Sequence, residues 1–243
     1  MRLDTYLVEH GYFESRAKAQ DAIKEGLVAV EGSTVNKSSF AMEEGMQVSI
    51  IDVKKYVSRA GDKLNGCIIK DNIDLTDKVV VDIGSSTGGF TDCCLQHGAR
   101  KVYAVDVGTN QLVEKLRNDP RVVVMENTNA RYLKKEDFAD EITFICMDVS
   151  FISCTLLLPV ISNLLKDGSD AVILVKPQFE VGSKYLNKQG VVRDPKVRER
   201  ALEDIIALLP NFKLVKYNCM LSDVVGRSGN QEYLLHVRKQ EEL

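Results

Sequence analysis

Four charged residues of this 243-residue chain lie where a predicted sheet should present its active face, one on the helix before the first strand and three at the ends of later strands. They are Lys63, Asp148, Lys176 and Glu232. The carboxyl edge of a parallel sheet is where such folds bind ligands, and a buried charge without a function costs folding free energy there. Two amines and two carboxylates can hold or remove the proton of a weakly acidic hydroxyl, such as that of a ribose. The alternative interpretation is two ordinary ion pairs at strand ends.

A glycine-rich segment offers a second place for chemistry. Residues 82–90 read Asp-Ile-Gly-Ser-Ser-Thr-Gly-Gly-Phe and follow an apolar stretch, which predicts a strand, a tight turn and a helix. Doubly wound sheets bind nucleotides at such turns. Asp106 ends the next predicted strand, 22 residues after Gly84, where a carboxylate can accept hydrogen bonds from a ribose diol.

The residues of this turn favour one class of ligand. Gly84, Gly88 and Gly89 do not have the G-x-G-x-x-G spacing of a dinucleotide site. Asp82 would repel a pyrophosphate, but it suits a ligand that carries an ammonium group. S-adenosylmethionine has such a group, a sulfonium and a ribose, and no phosphate, so we expect it as the cofactor. A nicotinamide or flavin dinucleotide and a purely structural turn are the alternatives.

The elements that must position these residues lie in residues 58–243, where apolar strands alternate with helices. Strands are predicted at 78–83, 101–106, 121–126, 142–148, 170–175, 213–221 and 232–237. Helices are predicted near 59–70, 90–97, 111–117, 155–165 and 195–209. This alternation predicts a Rossmann-like α/β fold with a mainly parallel, seven-stranded sheet covered on both faces. The last two strands follow one another directly and are expected to form an antiparallel pair at one edge.

The first 53 residues have a different pattern. An apolar face on residues 3–8, then a helix over 16–24 and short strands near 27–30, 35 and 46–51, predict a small α+β domain. Residues 54–57 are predicted to be a linker. The segment Met1–Val57 has seven Lys or Arg against nine Asp or Glu, a net charge of −2, which argues against a simple electrostatic clamp on nucleic acid.

Composition excludes several classes of protein. The six cysteines are scattered without a C-x-x-C motif and the three histidines are far apart, so we expect no disulfide framework and no metal site. No apolar stretch approaches the roughly 20 residues that span a membrane. The first residues carry Asp4, Glu9 and His10 rather than the apolar core of a signal peptide. We therefore expect a cytoplasmic protein that does not enter membranes.

Taken in order, several segments resemble the TlyA family, often labelled "hemolysin", which is related to the FtsJ-type RNA ribose methyltransferases. The segments are 56–64, 82–91, 118–122, 127–131, 148–153, 175–182 and 228–233. The resemblance implies a class I methyltransferase fold and methyl transfer from S-adenosylmethionine to a cytidine ribose 2′-hydroxyl of ribosomal RNA. It implies a catalytic tetrad made by the four charged residues named first. The predicted cofactor-binding residues are Asp82, Gly84, Ser86, Gly88, Gly89, Asp106 and Asn129.

The N-terminal domain resembles a small RNA-binding domain shared by a ribosomal protein and many pseudouridine synthases. The match rests mainly on the segments 2–4, 15–17 and 35–37. Predicted RNA contacts are Arg2, Arg16, Lys18, Lys37 and Arg59. Because structured RNA is read largely through shape and phosphates, a modest basic face suffices. A protein-docking domain is the alternative.

Two departures from the family pattern bear on the substrate. The linker, Lys54-Lys55-Tyr56-Val57, keeps the family's aromatic residue but not the arginine before it. The chain also resembles the family's shorter form, which implies 23S rRNA as substrate, with 16S rRNA as the alternative. Two competing functions are a membrane-lytic protein, as the family label suggests, and a non-catalytic RNA-binding factor that uses the cofactor pocket structurally.

Overall fold

The computed structural model describes residues 1–50, 55–226 and 229–241, and the chain divides into two compact units, Met1–Lys55 and Tyr56–Leu243. Three residues at the end of the predicted first domain, 51–53, and the first residue of the predicted linker, Lys54, lie outside the described residues. The domain limits at 53 and 58 therefore stay predictions. No helix among the described residues is long and apolar enough to cross a bilayer.

The N-terminal unit packs two helices on a three-stranded antiparallel sheet. Its elements are α1 (Leu3–Glu9), α2 (Arg16–Lys24), β1 (Val28–Val30), β2 (Ser33–Thr34) and β3 (Val48–Ile50), with strand order β2-β1-β3. Ser15 caps α2, because its side chain accepts a hydrogen bond from the Lys18 amide. Leu3, Leu7 and Ile23 are fully buried between the helices and the sheet. The predicted α+β pattern is confirmed.

The second unit is built on a seven-stranded sheet with the order β6-β5-β4-β7-β8-β10-β9. The strands are β4 (Val79–Ile83), β5 (Lys101–Val105), β6 (Val122–Met125), β7 (Ile142–Met147), β8 (Leu165–Val175), β9 (Leu214–Leu221) and β10 (Tyr233–Lys239). The pairs from β6 to β8 are parallel, and β10 is antiparallel to both β8 and β9. The predicted fold class and the antiparallel edge pair are confirmed.

Helices cover both faces of this sheet. They are α3 (Arg59–Lys70), α4 (Gly89–Gln96), α5 (Glu114–Arg117), α6 (Leu158–Leu164), α7 (Pro177–Glu180) and α8 (Pro195–Leu208). Alternate residues of β4 point to opposite faces: Val79, Val81 and Ile83 pack with α6 and α8, and Val80 packs with α3 and α4. The sheet is therefore buried on both sides, as parallel sheets are.

Two predicted helices differ from those in the structure, for local reasons. The helix predicted over 111–117 contains only Glu114–Arg117, because the carboxylate of Glu126 accepts the backbone amides of residues 110–112 and holds them in a loop. The helix predicted over 155–165 ends at Leu164, because Leu165 is extended and pairs with Ile142 at the start of β8.

The strand order determines what meets at the carboxyl edge. From β4 the chain first proceeds outward through β5 and β6 and then returns to add β7 and β8 on the other side of β4, which leaves a crevice at the switch point. Because β10 runs antiparallel to β8, its first residue, Tyr233, lies opposite Val175. The residues just before β10 and just after β8 therefore arrive at the same edge.

Candidate active site

Two lysine–carboxylate pairs lie at this edge. Lys63 Nζ is 2.5 Å from Glu232 Oε2, and the two side chains are 10 % and 3 % exposed. Lys176 Nζ is 2.5 Å from Asp148 Oδ1, with exposures of 12 % and 17 %, and it also donates to Ser150 Oγ at 2.9 Å. All four charged residues line one cavity of about 420 Å³. The structure thus brings together the four residues that the sequence singled out.

Four different elements position these side chains. Lys63 lies on α3, Asp148 directly follows β7, Lys176 directly follows β8, and Glu232 directly precedes β10. Gly226 makes room for the last of them, because a Cβ there would lie 2.6 Å from Glu232 Oε1. Burial of both members of each pair means that each charge depends on its partner, since an unpaired buried charge is strongly destabilising.

The glycine-rich turn joins β4 to α4 beside these pairs. Gly84 has a φ of +83°, and a Cβ there would lie 2.4 Å from the carbonyl oxygen of Asp148. Gly88 has a φ of +97°, and its Cβ would lie 2.3 Å from Leu116 Cδ1. Both positions therefore require glycine for the close packing of the turn itself. Gly84, Ser86 and Gly89 line the cavity, whereas Gly88 does not.

Asp82 lies beneath this turn rather than on the surface that faces the cavity. Its side chain is completely buried, Thr91 Oγ1 donates to its Oδ2 at 2.6 Å, and its Oδ1 has no hydrogen-bond partner among the described residues. Burial raises the pKa of Asp82 to about 7. The sequence led us to expect direct contact with a ligand, and the structure differs because Asp82 shares the inward face of β4 with Val80.

The two remaining cofactor-binding candidates have structural hydrogen bonds of their own. Asp106 accepts the amide of Ser86 at 2.8 Å and the amide of Gly108 at 2.7 Å, so it fixes the turn from the next strand. Each of its oxygens keeps a further lone pair for a ligand hydroxyl. Asn129 is exposed and accepts the amide of Arg131 at the start of a short 3₁₀ turn. Neither residue is part of the cavity wall.

Residues that the sequence analysis passed over complete the cavity. Phe151 is 88 % exposed and has a φ of +67°, which is strained for a bulky side chain and is a conformation found at functional sites. Its ring lies 5.2 Å from that of Phe179, and both rings line the cavity together with Gln178. Exposed aromatic faces of this kind can stack on nucleobases. The sequence feature that could have identified these two phenylalanines is their position three residues after Asp148 and three residues after Lys176.

One carboxylate ties the two aromatic loops together. Glu180, at the end of α7, accepts the hydroxyl of Ser153 at 2.6 Å and the amide of Cys154 at 2.9 Å. The loop after β7, which carries Phe151, is thereby bound to the helix after β8. This contact rigidifies the wall of the cavity on the side away from the glycine turn.

The predicted RNA contacts of the N-terminal unit are organised around a buried carboxylate. Asp4 is fully buried and accepts hydrogen bonds from Arg2, Arg16 and Gln20. The Arg2 guanidinium holds the pKa of Asp4 well below its usual range. Because about half of each arginine side chain stays exposed, two guanidinium groups are oriented side by side toward solvent.

The other predicted contacts are not part of this cluster. Lys18 pairs with Glu14 on the surface, and Lys37 is exposed. Arg59 belongs to the second unit, where it is exposed and lines the cavity. Arg59 therefore lies at the candidate active site.

Comparisons with known proteins agree with the two-unit organisation. Residues 56–239 match the FtsJ-like methyltransferase family, and residues 1–48 match the S4 domain. The chain is 46 % identical over 237 residues to Hemolysin A of Brachyspira hyodysenteriae, covering 97 % of this chain and 99 % of that protein. It is 37 % identical over 241 residues to the 16S/23S rRNA (cytidine-2′-O)-methyltransferase TlyA of Mycobacterium tuberculosis, covering 98 % and 90 %.

A solved structure of a hemolysin candidate from Streptococcus thermophilus is similar over the whole chain. The TM-score is 0.79 at 40 % sequence identity, and the match covers 100 % of this chain and 89 % of that one. The resemblance inferred from the sequence motifs is therefore confirmed.

Proposed function

This chain belongs to the FtsJ-like methyltransferase family, and on that premise we propose that it transfers a methyl group from S-adenosylmethionine to the 2′-hydroxyl of a cytidine ribose in ribosomal RNA. The relative from Mycobacterium tuberculosis is named for this reaction on 16S and 23S rRNA. We propose 23S rRNA as the main substrate of this chain. Since ribosomal RNA is a cytoplasmic substrate, we also propose a cytoplasmic location.

The observation that carries the proposal is the convergence of two buried lysine–carboxylate pairs on one cavity. A ribose hydroxyl is a poor nucleophile until its proton is removed or tightly held, and an amine at hydrogen-bond distance can do either. We assign one lysine, in its neutral amine form, to accept the proton, and the other, as an ammonium group, to donate to the hydroxyl oxygen and orient it. Asp148 and Glu232 hold the two amines in position and balance their charge.

The glycine turn fits a ligand without phosphate. A carboxyl oxygen of Asp82 lies buried and unpartnered beneath it within the described part of the chain, whereas a phosphate site relies on uncompensated amide N–H groups. The cavity volume of about 420 Å³ lies in the range of small-molecule sites. We propose that Gly84, Ser86 and Gly89 contact S-adenosylmethionine and that Asp82, Gly88, Asp106 and Asn129 support that contact. When bound, this cofactor supplies an electrophilic methyl group on its sulfonium.

The N-terminal unit supports RNA as the substrate class. Asp4 holds the guanidinium groups of Arg2 and Arg16, and about half of each side chain stays exposed, so their remaining N–H groups are available to phosphate oxygens. The unit as a whole is acidic, so we propose that recognition depends on this local pair rather than on net charge. Lys18, Lys37 and Arg59 extend the proposed contacts.

The test is transfer of labelled methyl groups to ribosomal subunits that lack the modification, followed by mapping of the labelled nucleotide. We expect label on a cytidine 2′-oxygen of the large subunit. Lys176→Ala should abolish transfer and lower the melting temperature, because Asp148 loses its partner, while the variant stays folded at the assay temperature and still binds S-adenosylmethionine. Near wild-type transfer by this variant would contradict the proposed tetrad, and label on a base rather than a ribose would contradict the proposed reaction.

A further inference from the structure

Gln178 has a buried amide oxygen that accepts no hydrogen bond from the described part of the chain. It is the second residue of α7, two positions after Lys176, and it lines the cavity. Its Oε1 is closed off from solvent and has no hydrogen-bond partner within residues 1–50, 55–226 and 229–241. A buried acceptor without a donor lowers stability, and native proteins rarely keep one without a reason. A bound ligand that supplies the donor would resolve this.

The position of Gln178 indicates which ligand that is. The glycine turn follows β4, whereas Gln178 follows β8, and β7 lies between the two strands. The side chain is therefore on the far side of the cavity from the proposed cofactor contacts. Its neighbours in sequence are Lys176, which belongs to the proposed proton-transfer group, and Phe179, whose ring packs near that of Phe151. A lysine beside the reacting hydroxyl and aromatic rings beside the base are the contacts expected for the nucleoside that is methylated.

We propose that Gln178 determines base specificity by accepting a hydrogen bond from the exocyclic amino group of the target base. This inference rests on the proposed function. Cytosine carries an amino group at C4, and uracil carries a carbonyl oxygen there, which would place two acceptors against each other. A site built to bind a donor discriminates strongly against a substrate that lacks it, because its own polar atom is then left buried and unpaired.

The test compares methyl transfer to large subunits that carry cytidine or uridine at the mapped position, under single-turnover conditions. We expect the wild-type enzyme to favour cytidine by roughly tenfold to a hundredfold. Gln178→Leu should lose most of that preference, chiefly through a slower reaction on cytidine. Gln178→Glu should keep or increase the preference, because a carboxylate offers only acceptors, whereas the amide of Gln178 can rotate and donate to uracil. The affinity for S-adenosylmethionine should be unchanged in both variants.

Gln189→Leu is the matched control, because Gln189 is exposed and outside the cavity wall. It should leave the cytidine-to-uridine ratio unaltered. A wild-type ratio in Gln178→Leu would overturn the proposal, and so would a loss of cofactor affinity, since that would assign Gln178 to the other ligand. If the wild-type enzyme transfers no methyl group to large subunits with cytidine or to those with uridine, the proposed function itself fails. This outcome can be distinguished from a failure of the base-specificity proposal.

Discussion

The contact between Lys63 and Glu232 allows the folding and catalytic contributions of two active-site residues to be separated. Glu232→Gln leaves a buried ammonium group without its counter-ion, and Lys63→Met leaves a buried carboxylate without its own. We expect the double variant, Lys63→Met with Glu232→Gln, to regain most of the stability that either single variant loses. We expect none of the three to regain methyl transfer, because the pair is proposed to act on the substrate hydroxyl.

The magnitude follows from the burial of both side chains, which are 10 % and 3 % exposed. Removing one partner of a buried ion pair costs about 3–5 kcal/mol, whereas replacing both partners by neutral groups of similar volume is close to neutral. At about 2–4 °C per kcal/mol for a unit of this size, each single variant should melt roughly 6–20 °C below the wild type. Loss of Lys63, or of the carboxylate proposed to hold it in position, should slow methyl transfer by roughly 10²–10⁴-fold in all three variants.

The assay combines calorimetric unfolding of the full chain with single-turnover transfer of labelled methyl groups to ribosomal subunits. A double variant that is destabilised by the sum of the two single effects would show that the side chains are not coupled in the folded protein. A double variant that methylates at the wild-type rate would show that the pair is purely structural. Either result would refute the reasoning.

Three further changes probe separate features. Gly88→Ala forces a methyl group to within 2.3 Å of Leu116 Cδ1 at a φ of +97°, so the free energy of unfolding in urea should fall by about 1–3 kcal/mol. Asp82→Asn removes a carboxyl group whose pKa burial raises from 3.8 to about 7. Between these two values the folded protein holds a proton that the unfolded chain has lost, so wild-type stability falls as pH rises, and the variant should lose less unfolding free energy between about pH 4 and 7. Arg16→Glu with Lys18→Glu should weaken RNA binding at fixed salt and leave S-adenosylmethionine binding intact.

Each of these changes has its own control. Gly182→Ala introduces a methyl group with nothing within 4 Å at a φ of −65°, so a loss as large as that of Gly88→Ala would contradict the steric argument. An identical pH profile for Asp82→Asn and wild type would contradict the burial argument. Lys24→Glu reverses an exposed charge in the last turn of α2, and an equal loss of RNA affinity there would indicate a general charge effect.

Periodicity predicted the elements of the second unit because its strands are short apolar runs between clear turns. Helix α3 begins and ends where the sequence indicated, at Arg59 and Lys70. The sequence could not indicate that Glu126 would bind three backbone amides and shorten α5. That carboxylate acts on residues that precede it by more than ten positions, and local patterns do not report such contacts.

The sequence predicted which charged residues form the candidate site, but not which lysine pairs with which carboxylate. Strand-end position identified Asp148, Lys176 and Glu232, and the position of Lys63 on the helix before the first strand identified the fourth residue. Lys63 contacts Glu232, which lies 169 positions away in the chain. This contact depends on the insertion of β10 between β8 and β9, and no local sequence pattern predicts that insertion. Alternation along β4 places Asp82 on the same face as Val80, packed against α3 and α4, and this position could be predicted from the sequence. The expectation of direct ligand contact rested instead on the chemistry of a carboxylate beside the glycine turn.

The insertion of β10 has a consequence for how this enzyme is made. Since β10 directly follows Glu232 and joins β9 to the rest of the sheet, a nascent chain that has not yet reached Glu232 lacks both the carboxylate and the connection. A polypeptide shortened by a premature stop codon before Glu232 would leave Lys63 without its counter-ion. Under the proposed function, products that stop before Glu232 lack one member of the tetrad and are expected to be inert.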